Sequence, residues 1–160
     1  MKYVLTFTVN GSPAEALVSP TDTLLDVLRN QLGITSPKRG CDTGDCGACT
    51  VLLDGKPVRA CLTIALTATG KKVITVEGLS RKGKLHPLQE SFIEHGAAQC
   101  GFCTSGMLMS AVSLLDKNPH PRREEIAEHM SGNLCRCGCY EEITEAILAL
   151  GRHEDKEQKP

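Results

Sequence analysis

Eight of the nine cysteines fall into two groups of four, and this grouping constrains the fold more than any other feature of the chain. The first group is Cys41, Cys46 and Cys49 in one short loop, with Cys61 beyond it. The second is Cys100-Gly-Phe-Cys103 and, after an interval, Cys135-Arg-Cys137. Divided between two domains, 160 residues leave roughly 75 for each, a size at which a hydrophobic core alone is marginal and a covalent or metal staple is needed. Each cysteine group is such a staple.

The spacing of the first group is that of a plant-type [2Fe–2S] ligand loop. Gly40, Gly44 and Gly47 are interleaved with its ligands. A chain that wraps a compact anion must turn its N–H groups inward, and glycine adopts the φ > 0 conformations this requires. A structural zinc held by four cysteines is the alternative, although zinc sites favour two C-x2–4-C pairs, and here three ligands crowd one loop. The second group is less distinctive. Cysteines two apart point to the same side only in extended backbone, so Cys135-Arg-Cys137 is expected in a loop, while Cys100 and Cys103 converge at the start of a helix, whose dipole favours thiolates. On spacing alone zinc and iron–sulfur both remain open there.

Composition excludes several functions. With two Tyr, three Phe, no Trp and a formal net charge of −1, there is neither a stacking surface nor a basic footprint for nucleic acid. Thr6, Thr8 and Asn10-Gly11 interrupt the N-terminal apolar residues before a signal-peptide core or membrane span forms, so a cytoplasmic location is expected. In a reducing cytosol this cysteine density argues for metal over disulfides. Thiolate-bound clusters make the loaded protein more negative than its formal charge, and buried anions need nearby dipoles and donors.

Periodicity divides the chain in two. Tyr3, Leu5, Phe7 and Val9 alternate with polar residues, Asn10-Gly11 reads as a hairpin turn, and Ala14, Ala16 and Val18 return. Leu24, Leu25, Val27, Leu28 and Leu32 form an amphipathic stripe, capped by Thr21 or Thr23 and ended by Gly33. A second hairpin runs from Thr50 through Asp54-Gly55 to Cys61, and Val73 to Val76 gives a last strand. After a stretch without apolar period, helices are expected over Leu88–His95 and Ser105–Leu115, around Ile126 and Met130, and over Ile143–Leu150. The fold class is therefore α+β: a β-grasp domain over 1–78, a linker over 79–84, a four-helix bundle domain over 85–150, and a charged tail over 151–160 expected to be disordered.

Three motifs, Gly40-Cys-Asp-Thr-Gly-Asp-Cys-Gly-Ala-Cys-Thr-Val51, Gln99-Cys-Gly-Phe-Cys-Thr104 and Gly132-Asn-Leu-Cys-Arg-Cys137, occur in this order over nearly the whole chain. Together they resemble the small iron–sulfur subunit of the molybdenum hydroxylases, the family of xanthine dehydrogenases, aldehyde oxidoreductases, aerobic carbon monoxide dehydrogenase and 4-hydroxybenzoyl-CoA reductase. The resemblance implies a plant-type ferredoxin-like β-grasp domain with one [2Fe–2S] cluster on Cys41, Cys46, Cys49 and Cys61. It implies a helical domain with the other on Cys100, Cys103, Cys135 and Cys137. It further implies that Gln99 and Cys137 lie against the pterin of a molybdenum cofactor (molybdopterin) held mainly by a large partner subunit. Electrons would pass from molybdenum through the helical-domain cluster, then the β-domain cluster, and commonly to FAD on a medium subunit. No residue of this chain is a candidate for substrate chemistry.

The chain departs from the family pattern twice. Ser105 stands where Cys-Thr-Pro-Gly has proline, a first-turn position that accepts serine. Cys137-Gly138-Cys139-Tyr140 replaces Cys-Thr-Gly-Tyr, so Cys139 occupies a glycine position. It is either a small packed thiol, with the glycine role passing to Gly138, or a ligand or redox group. His86, His95, His120, His129 and His153 form no metal-spaced pair, and Lys38, Arg39 and Arg136 flank the cysteine loops. An electron-transfer subunit of a heteromeric molybdenum hydroxylase leads this reading, ahead of a free-standing two-cluster ferredoxin and a zinc-stabilised interaction module.

Overall fold

The computed structural model describes residues 1–157. Strands β1 (Tyr3–Val9) and β2 (Ser12–Val18) form an antiparallel hairpin. It turns at Asn10 and Gly11, both at positive φ (51° and 84°), as a two-residue turn matched to strand twist requires. Leu5, Phe7 and Val9 are buried on one face, so the period-2 alternation is realised.

Helix α1 (Leu24–Asp26) starts at Thr23, whose hydroxyl accepts from the Asp26 N–H (3.1 Å) while the Asp26 carboxylate accepts from the Thr23 N–H (3.0 Å). The expected single helix to Leu32 instead widens into a π-helical turn over Val27–Gln31, closed by the Leu32 N–H on the Val27 carbonyl (3.1 Å). Leu24, Leu25, Val27 and Leu28 are all 0% exposed, on the face that the helical stripe predicts.

Strands β3 (Thr50–Leu53), β4 (Lys56–Arg59) and β5 (Lys72–Ile74) complete a mixed sheet of order β2-β1-β5-β3-β4, in which β1 and β5 pair in parallel and the other pairs are antiparallel. Two strand ends differ from expectation. β5 stops at Ile74 because Asn10 Oδ1 accepts from the Thr75 N–H and Asn10 Nδ2 donates to the Thr75 hydroxyl (2.9 Å each), in place of a strand partner. Cys61 lies beyond β4, where the N–H groups of Leu62 and Thr63 both turn back to the Arg59 carbonyl (3.0 and 3.1 Å).

Strand β3 joins the halves. Its alternation sends Val51 (0% exposed) into the core of the sheet and α1, and Leu52 (3%) into the core of the helices behind. Those helices are α2 (Pro87–Glu94), α3 (Thr104–Leu115), α4 (Arg123–Met130) and α5 (Tyr140–Glu157). α3 is buried nearly all round and packs on β3, α2 and α4, while α5 packs on α2 and α4. The expected linker is an ordered turn: Leu79 is buried in the helical core, and Arg81 and Lys84 exchange backbone hydrogen bonds (3.0 Å each) around Lys82 and Gly83. At the other end α5 continues to Glu157, so residues 151–157 of the expected tail are helix, and 158–160 lie outside the described residues.

Candidate metal centres

The first loop is folded by its own polar residues. The Arg39 guanidinium pairs with Asp26 (2.5 Å) and Asp42 (2.6 Å), pinning the loop to α1. Asp42, Gly44 and Gly47 take positive φ (57°, 84° and 73°). Gly40 does not, contrary to expectation; it is needed for space, since a Cβ there would lie 2.8 Å from Cys46 Sγ. The N–H groups of Thr43 and Cys46 both donate to Cys41 Sγ (3.4 Å each). The Cys41 thiol is pulled down to about 6 by the Thr43 hydroxyl and these two N–H groups. We weigh the N–H groups more heavily, because the one hydroxyl proton of Thr43 goes to Asp45 Oδ2 (2.6 Å). Burial, and then the neighbouring Cys49 thiol, push Cys61 up to about 11.

The second set gathers at helix ends, as the spacing predicts. Cys103 is the residue before α3, and Cys135 and Cys137 lie in the non-helical segment between α4 and α5. Burial, and then the Cys135 thiol, push Cys103 up to about 12. Burial also acts to raise Cys135, but the N–H groups of Cys139 (3.4 Å), Cys137 and Gly138, with the Cys103 thiol, outweigh it and lower the pKa. Cys100 and Gln99 are exposed. Gly138 carries the positive φ (80°) of this turn; Cys139 does not, and it is 1% exposed within the helical core. The glycine role has passed to Gly138 without backbone strain at Cys139.

Eight thiols meet in pairs, Cys41 with Cys46, Cys49 with Cys61, Cys100 with Cys137 and Cys103 with Cys135, and the ninth, Cys139, also lies against Cys135. Among the described residues no three His, Cys, Asp or Glu side chains are arranged to hold one metal ion. Thiols gathered two by two suit a dinuclear site. A [2Fe–2S] core takes two thiolates on each iron, so its sulfurs do not converge on one point as around zinc. The donor chemistry, the inward N–H groups and the space left by Gly40 all suit such a core, whose positive irons stabilise thiolates that burial alone disfavours.

The two loops touch. The Leu134 N–H donates to the Cys46 carbonyl (2.9 Å), and Asn133 Nδ2 to the Gly47 carbonyl (3.1 Å). Asn133 Oδ1 accepts from Ser110 of α3 (2.7 Å), and Thr50 Oγ1 also donates to the Gly47 carbonyl (2.6 Å). Ser105 Oγ donates to the Ser36 carbonyl (2.6 Å), a cross-domain bond that the family's proline has no hydroxyl to make. A cleft of about 420 Å³ opens between the loops, and Phe102, Leu134 and Tyr140 around it are half exposed.

Of the cations flagged from the sequence, Lys38 bonds the Thr35 carbonyl, Arg39 is paired to acids and Arg136 is exposed. Sequence reasoning missed Arg59 and Asn133, which bind across the domain boundary. The one local sign was that each lies two residues before a cysteine, Cys61 and Cys135.

Residues 7–73 match the family described as "2Fe-2S iron-sulfur cluster binding domain", and residues 75–148 the family described as "[2Fe-2S] binding domain". The chain is 54% identical over 140 residues to the nicotine 6-hydroxylase small subunit of Paenarthrobacter nicotinovorans, covering 88% of this chain and 84% of that one. It is 47% identical over 146 residues to the nicotinate dehydrogenase small FeS subunit of Eubacterium barkeri, covering 91% of this chain and 93% of that one. Among solved structures, a chain of quinoline 2-oxidoreductase from Pseudomonas putida 86 superposes with a TM-score of 0.91 at 48% identity, covering 99% of each. The aldehyde oxidoreductase from Desulfovibrio desulfuricans superposes at 0.90 and 46%, where 98% of this chain corresponds to 18% of that longer one. Two [2Fe–2S] domains in this order, shared with the small-subunit relatives over most of their length, establish that the chain belongs to the small iron–sulfur subunits of the xanthine dehydrogenase and aldehyde oxidoreductase family of molybdenum hydroxylases.

Proposed function

We propose that this chain is the electron-transfer subunit of a heteromeric molybdenum hydroxylase, relaying electrons between a molybdopterin site on a large partner and FAD on a medium one. The observation that carries this reading is the direct contact of the two loops that carry the four-thiol sets, through the Leu134 N–H on the Cys46 carbonyl. A [2Fe–2S] cluster supplies a one-electron carrier without substrate chemistry. Cys41, Cys46, Cys49 and Cys61 would hold one, and Cys100, Cys103, Cys135 and Cys137 the other. In finer terms, 1–78 is read as a β-grasp domain, 79–84 as the connecting turn and 85–150 as a four-helix bundle.

The residues of the chain divide the remaining tasks. The N–H groups of Thr43, Cys46 and Cys139 stabilise thiolate sulfur, and the helical core buries Cys135 and covers part of Cys103. Exposed Gln99 and half-buried Cys137 are suited to lie against a partner's pterin. The half-exposed Phe102, Leu134 and Tyr140 support a covered face in preference to a free-standing ferredoxin, for which an apolar rim would be a liability. Among the described residues no helix is long and apolar enough to cross a membrane, and a cytoplasmic location is part of this proposal.

Purification from the native source tests the reading. The chain is expected to co-elute with a flavoprotein and a larger molybdopterin-binding protein, and the Gln99 region to become protected from amide exchange in the complex. Recovery as a lone monomer that sustains full turnover with a soluble acceptor would contradict it.

A further inference from the structure

Arg59 leaves β4 toward the helical half, and its guanidinium lies between the two cysteine loops. Nη1 donates to Thr50 Oγ1 (2.9 Å), one residue after Cys49, and Nη2 donates to the Gly132 carbonyl (2.6 Å), three residues before Cys135. Nε is buried without a hydrogen-bond partner. Gly132 is shaped around this contact, because a Cβ there would lie 2.3 Å from Nη2.

Among the described residues two bound arginines meet no acid: Arg29, which donates to the nearby Thr35 and Pro37 carbonyls, and Arg59, which reaches from the first cysteine loop to the second. Arg39 is paired with Asp26 and Asp42, Arg122 with Glu125, and Arg123 with Glu141 and Glu145. Among the described residues Arg59 meets only a hydroxyl and a carbonyl. A partly buried guanidinium cannot shed its proton, and an uncompensated cation is costly away from water. The segments it bridges carry the two sets of four thiols, Thr50 following Cys49 and Gly132 preceding Cys135, and each loaded cluster carries net negative charge that grows on reduction.

We propose that Arg59 is an electrostatic positioning residue shared by both clusters, an acid-free guanidinium held between the two ligand loops that stabilises the electron added to each and raises both reduction potentials. This rests on the reading that the two thiol sets hold [2Fe–2S] clusters. Reduction adds one electron per cluster and neither forms nor breaks a bond. A fixed cation therefore favours the reduced form by Coulomb attraction alone, strengthened where water is excluded. The position also makes the effect mutual: one charge serves both domains, so it offsets the repulsion that would otherwise oppose reducing the second cluster once the first is reduced.

The test is a dithionite titration of the full chain, purified with its iron and sulfide and followed by paramagnetic resonance, in Arg59→Gln, Arg59→Lys and Gly132→Ala. Arg59→Gln is expected to lower both midpoints, with the reduction equilibrium falling about tenfold, about 59 mV for a one-electron couple. Arg59→Lys, which keeps the charge, should stay within about threefold of the parent, about 28 mV by the same constant. Gly132→Ala leaves Arg59 in the sequence but displaces its guanidinium, so a smaller shift of the same sign is expected. Unchanged midpoints in a loaded Arg59→Gln, or equal shifts in Arg59→Gln and Arg59→Lys, would overturn the assignment. If Arg59→Gln does not retain iron, Gly132→Ala decides, and unaltered potentials there overturn it. A parent chain without two cluster signals would count against the proposed function, whereas two signals insensitive to Arg59 would count against this inference alone.

Discussion

The carbonyl oxygen of Gly47 occupies the place a side chain on Gly106 would need, only 2.2 Å from where that Cβ would stand. Gly47 lies between Cys46 and Cys49 in the first loop, and Gly106 is in the first turn of α3, just after Cys103. Two glycines thus let the helix that starts at one thiol set press on the loop that carries the other. In the proposed relay the separation of the clusters would govern how fast electrons pass, and this contact would set it.

Gly106→Ala should therefore destabilise the protein, although alanine is the better helix former. Propensity favours alanine by about 1 kcal/mol, but the clash is with backbone, which moves only with the whole loop, and overpacking of this kind costs about 1–3 kcal/mol. A clash with backbone oxygen lies at the upper end of that range, so a net loss of about 1–2 kcal/mol in denaturant unfolding is expected. An unchanged or raised midpoint would mean that the two loops are not held this closely.

Asn133 is 3% exposed and joins the Gly47 carbonyl to the Ser110 hydroxyl. Asn133→Ala should cost about 1–3 kcal/mol, chiefly because it leaves the buried Ser110 hydroxyl without its acceptor, while the Gly47 carbonyl keeps the Thr50 hydroxyl and N–H. Adding Ser110→Ala removes that orphan, so the double variant should lose less than the sum of the two single ones. Strict additivity in unfolding experiments would show that the three groups do not form one network.

The pattern of what the sequence disclosed follows from range. The strands of the first hairpin, α3 and α5 were legible because alternation and helical stripes are local, and the cysteine groups because ligand spacing is written along the chain. Local rules also misjudged some positions. No local pattern marks the π turn after Asp26, and the early end of β5 reflects Asn10, 65 residues away from Thr75. Gly40 and Gly44 look alike in sequence, yet one is required for room beside Cys46 Sγ and the other takes a positive φ. Arg59 and Asn133 acquire their roles only from what the second domain brings to them, and no periodicity encodes that.

Cys139 separates ligand from packing. Its ordinary backbone and its burial in the helical core predict that Cys139→Gly keeps both cluster signals and changes stability by about 1 kcal/mol. Cys135→Ser should erase the helical-domain signal and spare the other. Loss of the helical-domain signal in Cys139→Gly would make the ninth cysteine a ligand and displace Cys137 from that role.

The central claim, two dinuclear clusters on eight named thiolates, is tested most directly by metal and sulfide analysis of the purified chain together with its reduced-state paramagnetic resonance spectrum. The account predicts about four iron and four acid-labile sulfide per chain and two distinguishable signals, since one site is enclosed by a loop and the other lies at helix ends. Zinc in place of iron, or about two iron with a single signal, would contradict it.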